Sequence, residues 1–277
     1  VAVIGAMQGD ALLPLHCSAS LVNFLKNIIS ESKILGDILI LPSINHYALN
    51  ISQKFWPLDK TNLNMMFPGY LQGETTQRIA GKIFEAIKGY DYGIILETPA
   101  DQSTCMPHIK LLKTGWEDLV GAKKFGFQFI HNPKVESIDT VTLQYNWQLW
   151  ETKAYSIICP SDQRIDQSKS DQIVQAMIRF FDQNKILNYH IYNSFASSVI
   201  SNKDIKTMKT PKSGMFTSFK NPGDHVNKGD IMGKIIDALT GEIIHRFKSP
   251  ENGMITNIYS NALIIENAIV YQIAKIG

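Results

Sequence analysis

Three cysteines and seven histidines are the side chains of this sequence with the widest reactive repertoire. Cys17, Cys105 and Cys159 are odd in number and irregular in spacing, which argues against a disulfide framework and against a cysteine-type zinc site. A reducing, cytoplasmic setting is the default that follows. Among His16, His46, His108, His131, His190, His225 and His245, no two stand four residues apart, the spacing at which one helix face offers two imidazoles to a metal. Cys105 lies in Thr104-Cys-Met-Pro-His108, a loop pattern in which an exposed, reactive thiol is expected. The acidic run from Glu31 to Asp37 and the lysines of 203–212 read as solvated faces.

The elements that must position such groups alternate between strand and helix up to about residue 187. Apolar runs at Val1–Ala6, Asp37–Pro42, Tyr92–Glu97 and Ala154–Cys159 predict buried strands. Leu21, Val22, Leu25, Ile28 and Ile29 share one face of a helix over 12–29, and Ile79, Ile83, Phe84 and Ile87 one face of a helix over 75–88. Further helices are expected over 116–125 and 170–184. Residues 43–73 form a polar, proline-containing stretch too long for a plain connector, hence a candidate binding loop. Buried strands alternating with helices predict an α/β core with a mostly parallel mixed sheet flanked by helices.

Composition sets bounds. With 277 residues, 44% hydrophobic and 19% charged, the chain has ample material for a core. A net charge of +2 gives no basic field for nucleic acid, and no apolar run approaches the ~18–20 residues that span a bilayer. No nucleic-acid or membrane partner is expected. The sequence begins at Val1 rather than methionine, which leaves room for an upstream segment.

From about Thr207 the pattern changes to short strands with frequent glycine and proline. Lys209-Thr-Pro-Lys-Ser-Gly-Met-Phe-Thr-Ser-Phe219 aligns with Lys248-Ser-Pro-Glu-Asn-Gly-Met-Ile-Thr-Asn-Ile258, a repeat that predicts two similar halves of one small β-structure. Gly214 and Gly253 should occupy equivalent tight turns. The stretch Asn221–Gly233 resembles the turn-rich core of biotinyl- and lipoyl-type barrels. Their carrier lysine would sit in the hairpin near 237–242, which here reads Asp-Ala-Leu-Thr-Gly-Glu and has none. The domains expected are 1–200, the α/β core, and 207–277, a β-barrel without a lysine-linked cofactor.

Four segments in order carry a resemblance. Gly5-Ala-Met-Gln-Gly-Asp-Ala11 ends the first strand, Asn62-Leu-Asn-Met-Met-Phe-Pro-Gly69 lies in the long loop, Tyr92–Pro107 holds the third strand and its loop, and Ala154–Ser161 the fourth. Together with the terminal barrel they resemble the succinylglutamate desuccinylase/aspartoacylase family, zinc-dependent deacylases on a carboxypeptidase-like fold. Asn64, Phe67, Pro68 and Gly69 match the family's Asp-Leu-Asn-Arg-x-Phe-Pro-Gly, while Met65 stands where the substrate-binding arginine would be. The resemblance aligns Gln8, Ala11 and Glu97 with the three zinc ligands and Cys159 with the catalytic glutamate, and it places Asn64, Met65 and His108 on the substrate. Zinc in such a site needs three protein ligands, and this set supplies at most two.

The implied reading is a divergent relative whose zinc triad and catalytic glutamate are substituted. Such a chain would be a non-hydrolytic protein that binds a small amino-acid derivative or peptide, or a regulatory one, with no cofactor expected. The alternative is an active metal-dependent deacylase with a remodelled site, for which zinc would be the cofactor. Cys159 becomes a nucleophile only with a base in reach, His108 being the candidate; otherwise it closes a buried strand as a small apolar residue.

Overall fold

A computed structural model describes every residue except 32, 100–102, 162–163, 192–193 and 276–277. The chain forms two compact units, Val1–Thr98 with Pro107–Cys159 and Gln163–Val199, and Pro99–Met106 with Pro160–Asp162 and Ile200–Gly277. The first eight strands are β1 (Ala2–Ala6), β2 (Leu39–Ser43), β3 (Tyr92–Glu97), β4 (Ser103–Cys105), β5 (His108–Lys110), β6 (Phe129–His131), β7 (Lys153–Ile158) and β8 (Ser198–Ile200). The helices are α1 (Leu12–Ile28), α2 (His46–Asn50), α3 (Thr75–Ile87), α4 (Leu119–Lys123), α5 (Leu143–Leu149) and α6 (Gln167–Gln183).

Seven of these strands make one sheet in the order β2-β1-β3-β7-β5-β6-β8. β1 pairs in parallel with β2 and β3, and β3 with β7. β5 is reversed against β7, with His108 opposite Ile158 and Lys110 opposite Ser156. The apolar runs alternate between two cores, as period-two geometry requires. Ile94, Leu96, Ile157 and Cys159 pack with Leu21 and Leu25 of α1 and Met177, Phe180 and Phe181 of α6. Ala2, Ile4, Ile95 and Ala154 pack on the other side with Phe67, Phe84 and Trp147.

Capping explains where the helices start. The Glu74 and Gln77 side chains form a reciprocal box at the start of α3. Asp166 accepts from the Lys169 N–H at 3.2 Å, which begins α6 three residues earlier than the apolar pattern predicts. The helix expected over 116–125 is one short turn, because Asp118 Oδ1 caps the Gly121 N–H at 2.8 Å and the chain turns out at Gly126 with φ of +71°.

The second unit holds β9 (Ile205–Lys209), β10 (Gly214–Ser218), β11 (His225–Val226), β12 (Ile231–Ile236), β13 (Ile243–Lys248), β14 (Gly253–Tyr259), β15 (Leu263–Ile264) and β16 (Ile269–Ala274). They form antiparallel sheets of order β13-β12-β10-β15 and β11-β14-β16-β9, with β4 added to β14. Phe216, Phe247, Ile255 and Tyr271 form their core. The sequence repeat has a local counterpart. Thr210 and Ser249, equivalent in the two halves, are both buried, and each hydroxyl donates at 2.6 Å to the carbonyl two residues on, Lys212 and Glu251. Gly214 and Gly253 open β10 and β14. Gly253 has no positive φ, contrary to the tight turn expected there: a Cβ on it would meet the Ala274 carbonyl oxygen at 2.7 Å, so close strand approach demands the glycine. Cys105 also departs from expectation. It is fully buried in β4, opposite Asn257, and is not an exposed loop thiol.

Candidate functional site

β1, β3 and β7 end on the same edge of the sheet, the edge where open parallel sheets place ligands. Glu97 is the last residue of β3. Its Oε1 accepts from Asn64 Nδ2 at 3.3 Å and from the Ser156 hydroxyl at 3.2 Å. The same Asn64 uses its Oδ1 to accept the Leu143 N–H at 3.1 Å, tying the start of α5 to the cluster. Gln8 lies just past β1, and its Oε1 accepts from the Thr98 hydroxyl at 3.2 Å. Ala11 precedes α1, is buried, and offers no side-chain donor.

The loop that delivers Asn64 is fixed by its own polar residues. Asn62 Oδ1 accepts the Asn64 N–H at 3.1 Å and so shapes the turn Leu63–Met65. Phe67 is buried, donates its N–H to the Val141 carbonyl at 3.1 Å, and receives Asn146 Nδ2 on its own carbonyl at 3.1 Å. Met65 is partly exposed and carries no charge to this loop.

Electrostatics make Glu97 the unusual group. Desolvation pushes its carboxyl above the ordinary carboxylate range, opposed by the nearby Lys110 ammonium and by the bonds from Ser156 and Asn64, while Asp139 adds to the rise. Lys110 Nζ lies 3.5 Å from Asp139 Oδ1. Asp139 is itself held, since its Oδ2 accepts the Glu136 N–H at 2.9 Å. Ser156, Lys110 and Asp139 are members of the cluster that sequence reasoning did not find. Ser156 is hidden in an apolar run, and Lys110 ends a strand of three residues, too short for a periodic signal.

The two remaining candidates lie on opposite faces of the sheet. Cys159 is fully buried in the core beneath α1 and α6. His108, in register with Ile158 as Glu97 is, projects from the Glu97 face of the sheet and stacks on Phe129 with ring centroids 4.5 Å apart. The residues at the aligned ligand positions do not fit zinc. Gln8 and Glu97 already accept hydrogen bonds through one oxygen each, Ala11 has nothing to donate, and zinc needs three donors. Among the described residues, no three His, Cys, Asp or Glu side chains stand together as a metal would require.

Replacing Asn64 tests the cluster directly. Asn64→Ala leaves the Leu143 N–H and one side of Glu97 without their partner, and a loss of about 1–3 kcal/mol is expected in urea unfolding. A variant as stable as the parent would remove Asn64 from this role.

The fold has close counterparts among solved structures. The product-bound ectoine utilization protein EutE (DoeB) from Ruegeria pomeroyi aligns over 99% of this chain and 84% of its own, with a TM-score of 0.80 and 16% identity. A succinylglutamate desuccinylase from a Silicibacter species aligns over 100% and 84%, with a TM-score of 0.82 and 14% identity. An aspartoacylase family protein from Mesorhizobium loti aligns over 100% and 85%, with a TM-score of 0.78 and 19% identity. The sequence matches no family model and no curated protein. Likeness at such low identity establishes architecture, and on that ground the chain is built on the succinylglutamate desuccinylase/aspartoacylase fold.

Proposed function

We propose that this chain is a divergent member of that family which has lost zinc hydrolysis and uses the strand-end cluster around Glu97 to bind a small amino-acid derivative or peptide. The observation that supports it best is the donor set. Gln8, Ala11 and Glu97 hold the aligned ligand positions, two of them are engaged by Thr98, Asn64 and Ser156, and the third has no donor atom. Met65 in place of arginine takes away the cation that would favour a second carboxylate on the ligand. Residues 1–200 would be the binding core, and 207–277 a small barrel of the biotinyl/lipoyl-like hybrid type, without a linked cofactor. No described helix is long and apolar enough to cross a membrane, and a cytoplasmic location belongs to the same proposal.

A second reading keeps a metal-dependent deacylase, and the carboxylate of Glu97 favours it, since a carboxylate is a competent zinc ligand. Metal analysis and turnover separate the two. Protein purified without chelator should hold well below one zinc per chain, and added zinc should elicit no hydrolysis of N-acyl aspartate or N-acyl glutamate. A full equivalent of zinc together with acyl release would establish the second reading. Tight binding of either acidic compound would count against the ligand class proposed here.

A further inference from the structure

We infer that the Lys110 ammonium is the built-in cation of the Glu97 site, taking the electrostatic place that a bound metal would hold among these strand ends. The inference rests on reading the Glu97 cluster as the functional site. It is carried by the way β5 enters the sheet. Because β5 runs against β7, Lys110 stands opposite Ser156 and projects from the same face. The Ser156 hydroxyl is the group that donates to Glu97 Oε1 at 3.2 Å. The ammonium itself pairs with Asp139 at 3.5 Å. One cation thus stands in a cluster that holds two largely enclosed carboxylates.

Such carboxylates must be protonated, coordinated to a metal, or compensated by a fixed positive charge. The donor set excludes the second solution at the aligned positions, and the lysine works against the first, since its charge opposes the rise that desolvation gives the Glu97 carboxyl. A lysine suits the third: its ammonium pairs directly with Asp139 and acts on Glu97 through space across the face they share. Its position is not left to the flexible side chain alone. Gln144 Nε2 donates to the Lys110 carbonyl at 2.8 Å and fixes the strand, and Asp139 is anchored by the Glu136 N–H at 2.9 Å. The positive charge of the site is then covalent, and no chelator removes it.

A double-mutant cycle tests this on the full chain, unfolded by heat in the presence of chelator and without ligand. Lys110→Met should lower the midpoint by about 2–5 °C, the scale for removing one partner of a partly enclosed charge pair in a protein of this size. Glu97→Gln added to Lys110→Met should recover part of that loss, because one of the two orphaned charges is gone. Lys110→Arg should stay near the parent, since it keeps the charge. Additive effects of the two substitutions would overturn the assignment. So would a Lys110→Arg variant as damaged as Lys110→Met, or a double variant that fails to fold. The cycle needs neither metal nor ligand, so its failure is distinct from a failure of the proposed function, which zinc retention and turnover report.

Discussion

The triple variant Gln8→His/Ala11→Glu/Glu97→His is expected to bind zinc on the order of 10³-fold more tightly than the parent, the scale of passing from at most two weak donors to a full set of three. Neutral imidazole is a better zinc ligand than an amide oxygen, and the glutamate supplies a donor where Ala11 has none. The strands that would hold two of the new ligands are in place. Gln8 follows β1, position 97 closes β3, and these adjacent parallel strands end on one edge. Glu97→His also removes the carboxylate that Lys110 compensates, which leaves a positive charge beside the metal. Adding Lys110→Met to the triple variant should therefore tighten zinc further. Competition against a chromophoric chelator measures both steps, and cobalt absorption reports the geometry. A triple variant no tighter than the parent would mean that the three positions do not converge, and the alignment of this site with the family's zinc ligands would fall.

Gly69→Ala is expected to lower stability by about 3–5 kcal/mol, combining left-handed backbone strain with overpacking. Gly69 has φ of +88°, and a Cβ there would lie 2.1 Å from the Gly81 nitrogen, in the middle of α3. Neither backbone has a side chain to turn aside. The loop that bears Asn64 would have to lift from the helix, and the 3.3 Å contact with Glu97 would go with it. Gly69→Asn separates the two causes. Asparagine tolerates positive φ better than alanine, but its Cβ meets the same nitrogen. If the asparagine variant unfolds in urea near the parent midpoint, the close approach to α3 is not what requires glycine.

Much of the core was legible because its strands and helices carry strong, opposite periods. The apolar runs of β1, β2, β3 and β7 and the striped faces of α1, α3 and α6 are local signals, and the chain obeys them. β5 and β6 were not legible, since three residues hold no period and their pairing is decided by neighbours distant in sequence. The site was read only where a motif named it. Asn64 and Glu97 stand in recognisable segments, and the structure joins them by a hydrogen bond. Ser156 sits in Ala-Tyr-Ser-Ile-Ile, a position that sequence reads as core, and its role exists only because β7 lies beside β3. Cys105 failed for the opposite reason: its loop-like local sequence is overruled by a strand partner supplied from the other end of the chain.

That partner gives β4 a place in time as well as in space. Asn257 Nδ2 donates to Ser103 Oγ at 3.4 Å across a separation of 154 residues, so β4 cannot be completed until nearly the whole chain exists. At roughly 5–20 residues per second, a ribosome needs on the order of 10 s to supply β14 after it has made β4. Closing so long a loop also has an entropic cost that no local contact offsets beforehand. During that interval Cys105, which the finished protein seals completely, lacks the strand that covers it. β4 is thus among the last strands of the molecule to be secured, and the wait is set by the rate of synthesis.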